Sequence, residues 1–232
     1  MLRFMQSLDW KYVVTETAIV AIAVAMALSA DAWWDERTDR VAESAYLQGL
    51  QEEFFATALD LEQEIASSMK SMAAIDELLA IMASYRVEAS SKVVNLIANA
   101  FDTSVLRAVS ATYHDLVTSG STGLLTSGAL RIALANWSAQ LDLHRRLEDH
   151  ILFPHYLATD DFMMRNLIVS EVFQTDQIPK APFAADVSGL LADRDLWNLL
   201  VVRRIWIGNR RMSLDQLQRT LKEIQIQLAV AE

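Results

Sequence analysis

The side chains of this sequence that can do chemistry by type and spacing are four histidines, three arginine pairs and one carboxylate inside an apolar run. The histidines are His114, His144, His150 and His155. His144 and Glu148 lie four residues apart, which places them on one face of a helix, with Asp149, His150 and His155 close behind. Imidazole and carboxylate in that arrangement are ligands for a divalent metal, so His144, Glu148, His150 and His155 are the candidate metal residues. The Glu-x-x-His repeat by which paired helices build carboxylate-bridged metal centres is missing from the sequence. Polar residues beside the helix breaker Pro154 explain the cluster equally well.

No histidine falls in the apolar run, which argues against a haem or pigment held there by imidazole from this chain. The chain has no cysteine, which removes thiolate nucleophiles, disulfides, cysteine-ligated zinc, iron–sulfur clusters and covalent c-type haem. Its serines form no nucleophile elbow, so hydrolase chemistry has no support. The sequence therefore assigns no catalytic residue, no cofactor and no firm metal site, and a non-enzyme is expected.

The arginine pairs are Arg145-Arg146, Arg203-Arg204 and Arg210-Arg211. The run RRIWIGNRR joins two of them through Trp206, and Arg with Trp is the composition of energetically dominant protein contacts. Arg203, Arg204, Trp206, Arg210 and Arg211 are accordingly the candidate partner-binding residues. The competing reading is salt bridging to acidic residues of neighbouring helices. Ser119-Gly120-Ser121-Thr122-Gly123 invites comparison with a phosphate loop, but no strand precedes it and no lysine follows. Those glycines suit a chain reversal, with Leu116, Val117, Leu124 and Leu125 sealing the corner.

The formal net charge of -10 repels nucleic acid, which is excluded as a partner. Hydrophobic residues make up 53% of 232, more than a core alone requires. The surplus sits in YVVTETAIVAIAVAMALSA, Tyr12 to Ala30, whose one charge is Glu16. At 1.5 Å per residue this run spans roughly 28 Å as a helix, close to the hydrocarbon thickness of a bilayer. Trp10 and Tyr12 at one end and Trp33 and Trp34 at the other are the interfacial aromatics. Ala18, Ala21, Ala25 and Ser29 form a small-residue stripe that permits close helix approach, and Glu16 is easier to place beside protein than beside lipid.

A cleaved signal peptide ending near Ala30-Asp31-Ala32 and a buried core helix are the competing readings of this run. Residues 1–11 are read as a short interfacial segment, 12–34 as the transmembrane helix and junction, and 35–232 as a water-exposed helical domain. Arg3 and Lys11 precede the span and Arg37 and Arg40 follow it. The amino-terminal amine tips this weak bias toward a periplasmic main domain in a bacterial inner membrane.

Beyond the junction, Leu47, Leu50, Phe54, Ala58, Leu61, Ile65, Met69, Met72, Ile75, Leu79 and Met82 recur at steps of three or four. This is one buried face of a long stalk-like helix, with Glu52, Glu53, Asp60, Glu62 and Glu64 left mostly to water and a bend expected near Ala66–Ser71. A short helix follows at about Ser91–Ala100, and Asp102 or Thr103 is placed to cap another through Val117. Thr126 or Ser127 can cap a helix carrying Leu130, Leu134, Trp137, Leu141, Leu147 and Ile151, which Pro154 kinks or ends. Asp160 or Asp161 can start a helix to about Phe173. Residues 174–189, with Pro179, Pro182 and Gly189, read as a loop. The final helix, about Leu190–Ala229, uses Trp197, Leu200, Leu214, Leu217, Leu221, Ile224 and Leu228 as its seam. The expected fold is all-α: an N-terminal transmembrane helix followed by an antiparallel helical bundle.

Two segments resemble a bacterial family of single-pass proteins known only as a domain of unknown function. One is the junction ALSADAWWDERTDRVAESAYLQGLQEEF, and the other is TYHDLVTSGSTGLLTSGALRIALANW. The chain departs from the family in lacking asparagines at the junction and after Ser119-Gly120. The resemblance implies the anchored helical architecture and brings no catalytic residue. The function expected is that of a membrane-anchored accessory or scaffold subunit, possessing the bilayer and other membrane proteins as partners and suited to a larger bioenergetic complex. An envelope sensor acting through a partner and a metal-dependent helical-bundle enzyme are the alternatives.

Overall fold

The computed structural model describes residues 10–84, 88–102, 104–108, 110–149, 153–166 and 186–231. Its regular elements are all helical: α1 (Trp10–Ser84), α2 (Ser90–Phe101), α3 (Ala111–Thr118), a 3-10 turn (Ser121–Leu124), α4 (Gly128–Leu147), α5 (Phe153–Asn166), α6 (Val187–Leu191) and α7 (Arg194–Ala231).

Helix α1 is continuous for 75 residues, about 110 Å at the usual rise, with no bend at Ala66–Ser71. No proline lies within it, and its one glycine, Gly49, sits against Thr112, so the backbone has no cause to break. Its first part carries an 18-residue window of mean hydropathy 1.6, none of it buried by the bundle, and is long and apolar enough to cross a membrane. This exposure removes the core-helix reading of the run. The first buried residues are Leu47 and Leu50.

From there α1 and α7 pack antiparallel, as the contacts Glu64–Arg210 and Asp76–Arg204 show. Helix α4 also runs antiparallel to α7, through Gln140–Thr220 and His144–Ser213. Two apolar clusters result. The one nearer the apolar end of α1 joins Leu50, Phe54 and Leu61 to Leu134, Trp137, Leu217 and Ile224. Phe54 meets Trp137 edge-on at 5.4 Å between ring centroids. The far cluster joins Ile75 and Leu78 to Val93, Ile97, Phe162, Leu196 and Leu200.

Several boundaries differ from the sequence reading. No helix begins at Asp102: regular structure resumes only at Ala111, because side chains of α1 and α7 take up the intervening backbone groups. Helix α5 starts at Phe153, with Pro154 in its first turn where a missing N–H costs nothing. The rest of that expected helix, to Phe173, and most of the loop at 174–189 lie outside the described residues. The end of that loop is helical, since Asp186 caps α6 by accepting from the Gly189 N–H at 2.9 Å. In α7 the seam uses Leu196, fully buried, instead of Trp197, and Met69 of α1 is exposed. Ser127 caps α4 as expected, accepting from the Leu130 N–H at 3.2 Å. At the Ser-Gly corner Leu116 and Leu125 are buried, while Val117 is exposed.

Candidate functional site: a buried polar layer between two apolar cores

Between the two apolar clusters, α1 presents Glu64, Ser67, Ser68 and Ser71, and α7 presents Arg203, Arg210 and Ser213. A helix passing from one core to the other keeps its inward face at steps of three and four, so these polar residues occupy positions that Leu and Ile hold above and below. Arg210 is the hub. It donates to Glu64 Oε2 at 2.8 Å, Glu148 Oε1 at 2.9 Å, Ser68 Oγ at 3.1 Å and the Ser104 carbonyl at 2.9 Å. Ser104 Oγ in turn donates to Glu64 Oε2 at 2.7 Å.

Burial alone lowers the affinity of Arg210 for its proton, and the two carboxylates outweigh it, so its pKa stands above the ordinary value. Burial likewise pushes Glu148 up, but His144 and Arg210 hold it below the usual carboxylate range. His144 Nε2 is 3.2 Å from Glu148 Oε1, off the line of a hydrogen bond, and its Nδ1 is 3.0 Å from Ser213 Oγ.

Arg203 is nearly fully buried and points at the end of α2. Its Nε donates to the Ala100 carbonyl and Nη2 to the Asp102 carbonyl at 2.7 Å, satisfying orphan groups at a helix C-terminus. Its guanidinium lies 5.3 Å from the Phe101 ring centroid and 5.6 Å from that of Tyr156. Burial pulls its pKa below the ordinary value. His155 is also buried, and its Nε2 has no hydrogen-bond partner. Burial first, and then the charge of Arg203, lower its pKa and keep it neutral.

These placements revise the partner-binding set. Arg203 and Arg210 are 3% and 6% exposed, so they hold the bundle together from inside and are not offered to an outside partner. Arg204 pairs with Asp76 and Arg211 with Asp215 on the surface, and Trp206 is half-buried at the layer's edge. Of the metal candidates, His144 and Glu148 are brought together, His155 faces the layer from α5, and His150 lies outside the described residues. Among the described residues no three potential ligands converge on one point.

Along α1, Trp10, Trp33 and Trp34 are exposed, with Arg37 over the Trp33 ring at 5.8 Å. Glu16, Ala18, Ala21, Ala25 and Ser29 are exposed on the apolar section, and Ser29 Oγ bonds back to the Ala25 carbonyl at 2.7 Å. The side chain of Tyr12 lies outside the described residues.

Of the carboxylates assigned to water, Glu52 and Glu62 are exposed, whereas Glu53, Asp60 and Glu64 face the bundle and have another job. The described residues between 92 and 126 return antiparallel along α1, and its acids bond them: Glu77 to Lys92, Glu64 to Ser104, Asp60 to the Arg107 N–H at 2.6 Å, Glu53 to the Thr112 N–H at 2.5 Å, and Glu43 to the Thr126 N–H at 2.6 Å. Glu53 thereby serves the first turn of α3, where Ser110 makes no side-chain cap. A signal existed in the sequence: Glu53 and Glu64 fall at helical spacing with Leu50, Phe54, Leu61 and Ile75. Against known proteins, no family profile, no curated protein and no solved structure matches the chain.

Proposed function

We propose that this chain is a non-enzymatic, single-pass membrane-anchored accessory or scaffold subunit that binds other membrane proteins. The observation that carries the reading is the single helix α1, bare over its apolar section and forming the bundle's core after Leu47. A tether needs only a flexible link, whereas an uninterrupted helix fixes the bundle's distance and rotation relative to whatever the apolar section contacts. Between Ala32 and Val41 the helix is exposed and charged, holding the bundle about 14 Å beyond the apolar section, and Glu43 makes its first hydrogen bonds to the bundle. The resemblance to the anchored bacterial family supports a location in a bacterial inner membrane, the charge bias with the amino-terminal amine supports the bundle on the periplasmic side, and the small-residue stripe and Glu16 support contact with protein. Membership of a larger bioenergetic complex belongs to the same reading.

The test is extraction in mild detergent followed by native mass measurement. The expected species is a defined assembly with other membrane proteins. A detergent-bound monomer would remove the proposal.

A sensor acting through a partner is favoured by one observation, that the same helix links the apolar section to the polar layer. Its signature is a change in thermal stability on adding a small ligand, together with a ligand response in a signalling assay that is lost when residues 35–40 are replaced by a flexible Gly-Ser linker.

A further inference from the structure

The polar layer holds a part-open cavity of about 20 Å³ whose wall is rich in hydrogen-bond donors. Arg203, Arg210, His155, Tyr156 and Ser71 line it, and Asp102, exposed to solvent, is the carboxylate at its rim. One water needs about 10–15 Å³ of such space and an organic ligand needs hundreds, so the cavity suits a single small species.

Its chemistry selects the sign of that species. The two carboxylates of the layer, Glu64 and Glu148, are both bonded to Arg210. The hydrogen-bonded acceptors of the Arg203 guanidinium are the neutral carbonyls of Ala100 and Asp102. The one carboxylate that acts on Arg203 is the solvent-exposed Asp102 at the rim, so a buried cation hydrogen-bonded to carbonyls alone still favours a negative partner inside the cavity. Tyr156 keeps its phenolic proton, because burial raises its pKa, and the neutral imidazole of His155 carries one N–H that its unpartnered Nε2 can supply. Two guanidinium groups on the wall repel a metal cation.

We propose that this cavity binds one monovalent inorganic anion of chloride size, held by the Arg203 guanidinium, the Tyr156 hydroxyl and the His155 Nε2–H. The anion neutralises Arg203 and joins α5 to α7 across the layer.

The experiment is thermal unfolding of the full chain in detergent at pH 7.5 and constant ionic strength, with sodium chloride or bromide replacing sodium gluconate. Binding to the folded state alone raises Tm saturably, by about 5 °C once the halide is well above its Kd. Tyr156→Phe, which keeps the ring, is expected to cut that rise by at least half, and Arg204→Gln on the surface to leave it intact. An absent rise, a rise that grows with concentration without saturating, or an undiminished rise in Tyr156→Phe would each overturn the proposal. A 35-chlorine resonance broadened by wild type, sharpened by excess bromide and unaffected by Tyr156→Phe protein is the expected direct signature.

Discussion

Arg210 and Glu64 meet at 2.8 Å inside the bundle, each side chain 7% exposed, although they are 146 positions apart in the sequence. A buried ion pair gains little net stability over apolar residues of the same size, because desolvating both charges consumes most of the attraction. Its value is in register. Two leucine-rich faces can slide by a helical turn at small cost, whereas a slide here strands Arg210, Glu64 and Glu148 without partners.

Removing one partner should therefore be far worse than the pair's net worth. Arg210→Met leaves the buried Glu64 and the part-buried Glu148 without their shared cation, and a loss of about 3–5 kcal/mol is expected in urea unfolding. Arg204→Met removes a half-exposed partner of Asp76 and should cost under about 1 kcal/mol. Similar losses for the two variants would show that the polar layer is not a locking element.

His155 sets a pH dependence whose sign is fixed. Its folded-state pKa lies below the ordinary 6.5, because of burial and then the charge of Arg203. The unfolded chain takes up the proton near that value and the folded chain does not, so stability is complete above it and declines as pH falls through the folded pKa. The urea midpoint should fall between pH 7 and pH 5, and His155→Gln should flatten that slope. Glu148, held below 4.5, acts in a lower window, where its protonation removes stability as pH drops further. An equal slope between pH 7 and pH 5 in the variant would contradict the assignment.

At the corner before α4, Gly120 has φ of 73°, the left-handed region, and open space where a Cβ would stand. The penalty of Gly120→Ala is thus purely conformational, about 1 kcal/mol, and Gly120→Asn should recover part of it. Equal melting temperatures for wild type and Gly120→Ala would argue against that backbone geometry.

The helical class, the long first helix and the Ser127 cap were legible because each is a local pattern: apolar period, missing breakers, a hydroxyl before a helix. The polar layer was not, since its members come from α1, α4, α5 and α7 and only tertiary packing brings them together. Period alone nonetheless placed Glu64 on the inward face, and the expectation that acids face water overrode it. The start of α3 was misread for a related reason. Asp102 looks like a cap by composition, yet Arg203 binds its carbonyl and Arg210 that of Ser104, so the backbone stays extended where local preference allows a helix. The arginine run read as a surface contact because charge was weighed ahead of spacing, although Arg203, Ile207, Arg210 and Leu214 share one face.

In the proposed reading the apolar section of α1 docks on membrane proteins through the stripe Ala18, Ala21, Ala25 and Ser29. A photo-crosslinking residue placed singly at Ala21, Ala25, Val20 or Met26 in native membranes tests it most directly. Discrete protein adducts from Ala21 and Ala25, with lipid adducts from Val20 and Met26, are the predicted result. Lipid adducts alone from all four positions would contradict it.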